Sequence, residues 1–196
     1  MFPPMSSHSM WAPWRMEYIR SPKEGGCIFC TYPAAGAASH RQNLILCAQA
    51  DTFIILNRYP FAAGHLMVVP RRHVADLDGL GTKEYDAMWA LVRDAARALR
   101  ASCNADGVNV GINLGASAGA GIAEHMHVHL VPRWRGDLNF MPVVADVHVM
   151  PEALDATYVR LLPFFAPLSS RDASTTPGDG PTPARRARRR PRGGTR

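Results

Sequence analysis

The sequence predicts an α+β fold: a mainly antiparallel sheet of about five strands with one long helix and a short one. Two observations predict it. Five short apolar runs are bounded by turn residues, and one longer run repeats its apolar residues at three- and four-residue steps. With 196 residues, 47% of them hydrophobic, the chain has material for one domain with appendages.

Residues 1–10 read as a flexible leader, and Trp11–Ile19 as an aromatic segment that packs on a core edge. Residues 31–41, rich in Ala, Gly and Ser, read as a loop. The first two strands fall at Asn43–Ala48 and Thr52–Asn57. A turn at Arg58–Gly64 leads into a third, His65–Pro70, closed by its proline, and the short connection implies a hairpin. The long helix lies near residues 82–102. Thr82 is placed to cap it, Glu84 suits the positive end of its dipole, and Tyr85, Met88, Leu91, Val92, Ala95 and Leu99 form its apolar stripe. A fourth strand follows at Val108–Asn113, then a small-residue loop, Gly115–Gly121, then a fifth strand, His125–Val131, ended by Pro132. After Pro167 the composition turns to Ser, Thr, Pro, Gly and Arg. The domain is therefore expected over 11–168, with a disordered tail over 169–196.

The formal charge of +6 misleads unless it is located. Seven arginines fall within residues 184–196, which leaves residues 1–183 with 15 basic and 16 acidic residues. The body is near neutral, and weak nucleic-acid contact by counterion release is expected from the tail alone. Four cysteines are too sparse for a secreted disulfide framework, no apolar stretch is long enough to span a membrane, and the N-terminus lacks the pattern of a secretory signal. A cytoplasmic protein is expected.

The chemistry concentrates in His125-Met126-His127-Val128-His129. On a strand, alternate side chains share a face, so three imidazoles would project together. Burying three such groups is costly without a use, and two uses fit: a metal site, or a nucleophile flanked by groups that fix its tautomer. The Gly115–Gly121 loop enters this strand directly, and glycine backbone can approach a phosphate closely. Cys27-Ile-Phe-Cys30 has the spacing of half a zinc site. A reduced pair without metal is the alternative. A redox pair is disfavoured because no helix start is expected after it to lower a thiol pKa.

These motifs resemble the histidine triad superfamily. The likeness runs from Trp11 to Leu154 and is carried by Gly64-His65-Leu-Met-Val-Val-Pro70, Asn113-x-Gly115 and His125-x-His127-x-His129-Leu-Val-Pro-Arg-Trp134. Trp11-Ala-Pro-Trp-Arg-Met-Glu-Tyr, Ala123-Glu124 and Pro132–Phe140 point to its diadenosine tetraphosphate phosphorylase and hydrolase branch. The resemblance implies a homodimer and nucleotidyl transfer through His127 as nucleophile, with His129 and His65 beside it. It implies that Asn57 bonds the ribose, and that Asn113, Gly115, Ser117, Gly119 and Gly121 hold phosphate. It also implies structural zinc on Cys27, Cys30, His73 and His125. The reaction would be cleavage of diadenosine tetraphosphate, to ATP and ADP with phosphate as acceptor or to ATP and AMP with water. The alternatives are a nucleoside phosphoramidate hydrolase and a nucleotide- or RNA-binding module using the tail. The pattern departs at Gly121 and Ile122, where the superfamily often has glutamine and serine; Ser117 or backbone N–H groups would have to substitute.

Overall fold

The computed structural model describes residues 26–137 and 152–170. The leader, the Trp11–Ile19 segment and residues 171–196 of the tail lie outside them.

Five strands form one antiparallel sheet: β1 (Ile45–Ala48), β2 (Thr52–Leu56), β3 (Leu66–Pro70), β4 (Gly107–Ile112) and β5 (Val128–Arg133), in the order β1-β2-β3-β5-β4. The β2–β3 hairpin forms as expected, with Leu56 opposite Leu66. Among the described residues three α-helices accompany the sheet: α1 (Ile28–Ala34), α2 (Thr82–Cys103) and α3 (Leu154–Phe165). Helix α2 packs across β2, β3, β4 and β5, while α3 packs on α2 and β1. Met88, Leu91, Val92, Ala95 and Leu99 of α2 are buried as the stripe requires, but Tyr85, expected with them, is 41% exposed. It sits in the first turn, and its ring meets that of Trp89 with centroids 6.1 Å apart. Among the described residues no helix is long and apolar enough to cross a membrane.

The structure corrects several local expectations. Gly81, not Thr82, is the N-cap of α2, and the Glu84 carboxylate accepts the Gly81 N–H at 2.8 Å. This is half of a capping box, so the helix start needs no hydroxyl. Pro132 does not end β5: it lies inside the strand opposite Val108. The β3 ladder has already ended at Leu66–Leu130, so that side of β5 can host a residue without an N–H. The expected loop over 31–41 begins as helix, because α1 runs to Ala34. At the other end, Ser169 and Ser170, expected in the tail, complete a short helical segment, and the Ser169 hydroxyl accepts the Ala48 N–H at 3.1 Å.

Candidate active site

The sheet's register builds the floor of a cavity of about 480 Å³. Ile55, Met67 and His129 stand opposite one another across β2, β3 and β5, and all three line it. The alternate residues of β5, Val128 and Leu130, are fully buried in the core. Helix α1 forms one wall through Ile28, Phe29 and Tyr32, and the turn after β2 supplies Asn57, Arg58 and Phe61. Leu44, also in the wall, holds a left-handed φ of 61°, a strained conformation for a branched side chain.

Only His129 of the three clustered histidines lies in β5 proper. His125 and His127 precede the strand, because the Met126 N–H bonds to the Val74 carbonyl at 2.7 Å, outside the sheet ladder. The rings of His127 and His129 nonetheless stay adjacent, with centroids 4.8 Å apart, and both line the cavity, whereas His125 faces Cys27 and His73.

Backbone partners fix the tautomers of His127 and His65, and His65 in turn sets that of His129. His127 donates from Nδ1 to the His125 carbonyl at 3.0 Å, which leaves Nε2 with its lone pair. The sequence left His129 or a carbonyl as this partner, and the carbonyl is the one used. His65 accepts the Phe61 N–H at Nδ1 (3.1 Å) and so carries its proton on Nε2, 3.0 Å from Nδ1 of His129. His129 must then carry its proton on Nε2. Burial holds all three rings neutral. It lowers His65 to about 3 and His129 to about 4, with neighbouring histidines adding to each, and lowers His127 against the opposing pull of its carbonyl bond. Gly64 makes the His65 placement possible: its φ is +88°, and a Cβ there would meet Cys103 Sγ at 3.1 Å.

Around the cavity, Asn57 and Asn113 are both present. The Asn57 side-chain oxygen accepts the Tyr59 N–H at 2.9 Å, and the Asn113 amide reaches the Gly119 carbonyl at 3.5 Å. Gly119 and Gly121 line the cavity, whereas Gly115 and Ser117 are exposed and lie outside its lining. The loop is also less open than its glycines suggest. The amides of Ala118, Gly119 and Ala120 bond back to Gly115 and Ala116, closing a one-turn helix. Glu124 is exposed.

The four candidate metal ligands converge. Sγ of Cys27 and Cys30 lie 3.3 and 3.5 Å from Nδ1 of His125, Cys30 Sγ lies 3.3 Å from Nδ1 of His73, and all four donor atoms fall within 4.8 Å of one another. Tetrahedral zinc with ordinary bond lengths sets sulfur and nitrogen ligands ~3.5 Å apart, so the donor set fits. His125 donates from Nε2 to the Pro70 carbonyl at 2.8 Å, leaving Nδ1 free to ligate. Arg71 anchors the His73 turn by bonding the Gln49 carbonyl at 2.6 Å, and Arg72 pairs with Glu84. Contrary to expectation, a helix does begin at the cysteine pair, since Cys27 is the N-cap of α1. What disfavours a redox pair is instead the two imidazoles facing the sulfurs.

Ile28, Phe29, Tyr32, Asn43, Arg58 and Phe61 of the lining were not legible in the sequence as site residues. Arg58 and Phe61 were readable only as turn residues, and α1 carries no capping side chain.

The fold and this histidine arrangement define the class. The chain belongs to the HIT domain family, whose model matches residues 40–136. It is 36% identical over 154 residues to an AP-4-A phosphorylase of Mycobacterium tuberculosis, spanning 76% of this chain and 79% of that protein. A bis(5'-adenosyl)-triphosphatase of Dictyostelium discoideum is 30% identical over 99 residues, covering 50% of this chain and 66% of the relative. Among solved structures, a zinc-bound histidine triad family protein of Mycobacterium smegmatis superposes with a TM-score of 0.58 at 27% identity, covering 74% of this chain and 96% of its own.

Proposed function

We propose that this protein cleaves dinucleoside polyphosphates, diadenosine tetraphosphate first among them, by transferring a nucleotide through His127. The observation that carries the reading is the fixed tautomer of His127. Its Nδ1 proton is tied to a backbone carbonyl, so Nε2 offers a lone pair in a cavity of nucleotide size.

In the first step Nε2 of His127 attacks the α-phosphorus. The N–P bond forms, the P–O bond to the departing nucleoside polyphosphate breaks, and the polyphosphate leaves as the anion. His129 presents its Nε2–H to the phosphate, held in that tautomer by His65, and Arg58 at the rim adds charge for the chain. In the second step an acceptor oxygen attacks the same phosphorus and frees His127. Likeness to the AP-4-A phosphorylase favours inorganic phosphate as acceptor, giving ADP beside the ATP already released. We assign Asn57 to the ribose and the backbone at Gly121 and Ile122, in place of Ser117, to the leaving-group side; all three residues line the cavity.

Zinc on Cys27, Cys30, His73 and His125 would be structural, tying α1 to the turn after β3 and to the residues that enter β5. That tie would hold Phe29, whose ring lies 5.0 Å from His127, in the cavity wall. The bulk of the arginine-rich tail, residues 171–196, is proposed to be dispensable for turnover.

Product analysis tests the reading. Diadenosine tetraphosphate should yield ATP and ADP in a phosphate-dependent manner. ATP and AMP regardless of phosphate would make water the acceptor, and an inert substrate would overturn the proposal.

A further inference from the structure

The histidine row ends in an aromatic ring on each side. Phe29 lies 5.0 Å from His127, His127 lies 4.8 Å from His129, His129 lies 5.2 Å from His65, and His65 lies 5.0 Å from Phe61. Both phenylalanines line the same cavity, yet they differ in exposure. Phe29 is 1% exposed and forms a wall of the cavity with Ile28 and Tyr32. Phe61 is 66% exposed, with one face stacked on His65 at an interplanar angle of 17°.

A phenylalanine left this exposed at a cavity rim forfeits the burial of a large apolar surface. Its backbone N–H already serves His65, and any residue but proline could do that. One ring face supports His65 by stacking, which leaves the exposed outer face unexplained. A dinucleoside polyphosphate has two bases at opposite ends of a charged chain, and a cavity of about 480 Å³ encloses little more than one nucleotide.

We infer that Phe61 is the stacking platform for the base of the departing nucleoside, while the Phe29 chamber holds the base of the transferred one. This rests on the dinucleoside polyphosphate reading above and adds how the second nucleoside is recognised. Stacking on an exposed ring tolerates any base, so the distal subsite should select for an aromatic base without choosing which.

The experiment compares diadenosine tetraphosphate with adenosine 5'-tetraphosphate, which keeps the phosphate chain and lacks the second nucleoside. The ratio of their kcat/KM values is read for the unmodified protein, Phe61→Ala and Phe61→Trp. The expected result is a preference for the dinucleotide that falls about tenfold in Phe61→Ala and is kept or raised in Phe61→Trp. If Phe61→Ala lowers both substrates equally, the residue only props His65 and the subsite is overturned. An unchanged ratio with unchanged rates overturns it as well, and leaves the nucleotidyl-transfer reading standing. Turnover of neither substrate by the unmodified protein would overturn that reading and the subsite with it.

Discussion

His125 and His127 stand two residues apart, both buried, each with one ring nitrogen bonded to a backbone carbonyl. They differ in which nitrogen is tied. Pro70 takes the Nε2 proton of His125, so its Nδ1 turns to the cysteine sulfurs. The His125 carbonyl takes the Nδ1 proton of His127, so its Nε2 is left for the cavity. On the proposed reading, one residue type in one short segment serves as a metal donor at one position and a nucleophile two residues on, and the backbone decides which. The comparison predicts that damage at the two positions separates into two phenotypes.

The largest effect belongs to His127. His127→Asn keeps the bond to the His125 carbonyl and removes the nucleophile, so turnover should fall by at least about a thousandfold. Zinc content and melting temperature should stay near those of the unmodified protein. Steady-state rates, metal analysis and thermal unfolding on the same preparation check this, and loss of zinc would merge the two roles.

Substitution at the metal cluster should do the reverse in kind. Cys27→Ser should drop zinc from one per chain to well below one. It should also lower the melting temperature by ~10 °C, as loss of several kcal/mol does in a domain of this size. Activity should decline with the loosening of α1 and Phe29 rather than vanish. A wild-type preparation holding no zinc under metal-replete conditions would sink the structural-metal account.

A smaller effect is expected at His65, which acts through His129. His65→Ala should cost ~10- to 100-fold in kcat by freeing the His129 tautomer. It should also alter the pH dependence of stability. Folded His65 and His129 titrate at about 3 and about 4, below the 6.5 of an unfolded chain. The unfolded state therefore binds protons first, and stability is complete above about pH 6.5 and declines as pH falls toward 4. Each ring contributes up to ~1.4 kcal/mol per pH unit in that window. Denaturant midpoints should fall less steeply in His65→Ala than in the unmodified protein; identical slopes would contradict the buried, neutral ring. The smallest effect is expected from truncation after Ser170, which keeps the Ser169 bond to Ala48 and should leave turnover within about twofold.

What could be read in the sequence follows the same division. The strands, the long helix, the three histidines and the cysteine pair were legible because each depends on local spacing. Helix α1 was not: it has seven residues, a proline at position 33 and no capping side chain, and Phe29 buried among the histidines is what holds it. The departure of His125 and His127 from β5 was hidden too, because it depends on Val74, some fifty residues earlier, taking the Met126 N–H. Ser117 looked available as a donor, but the one-turn helix Ala116–Ala118 leaves it exposed. Phe61 and Arg58 read as turn residues because nothing local marks a turn as a cavity rim.

The most direct test of the central claim is to trap the intermediate. The protein is incubated with diadenosine tetraphosphate labelled on the α-phosphate, quenched without acid and mapped by peptide mass spectrometry. The account predicts an adenylyl group on His127 that is absent from His127→Asn and chased off by the acceptor. A label on His125, His129 or His65, or turnover that persists in His127→Asn, would contradict it.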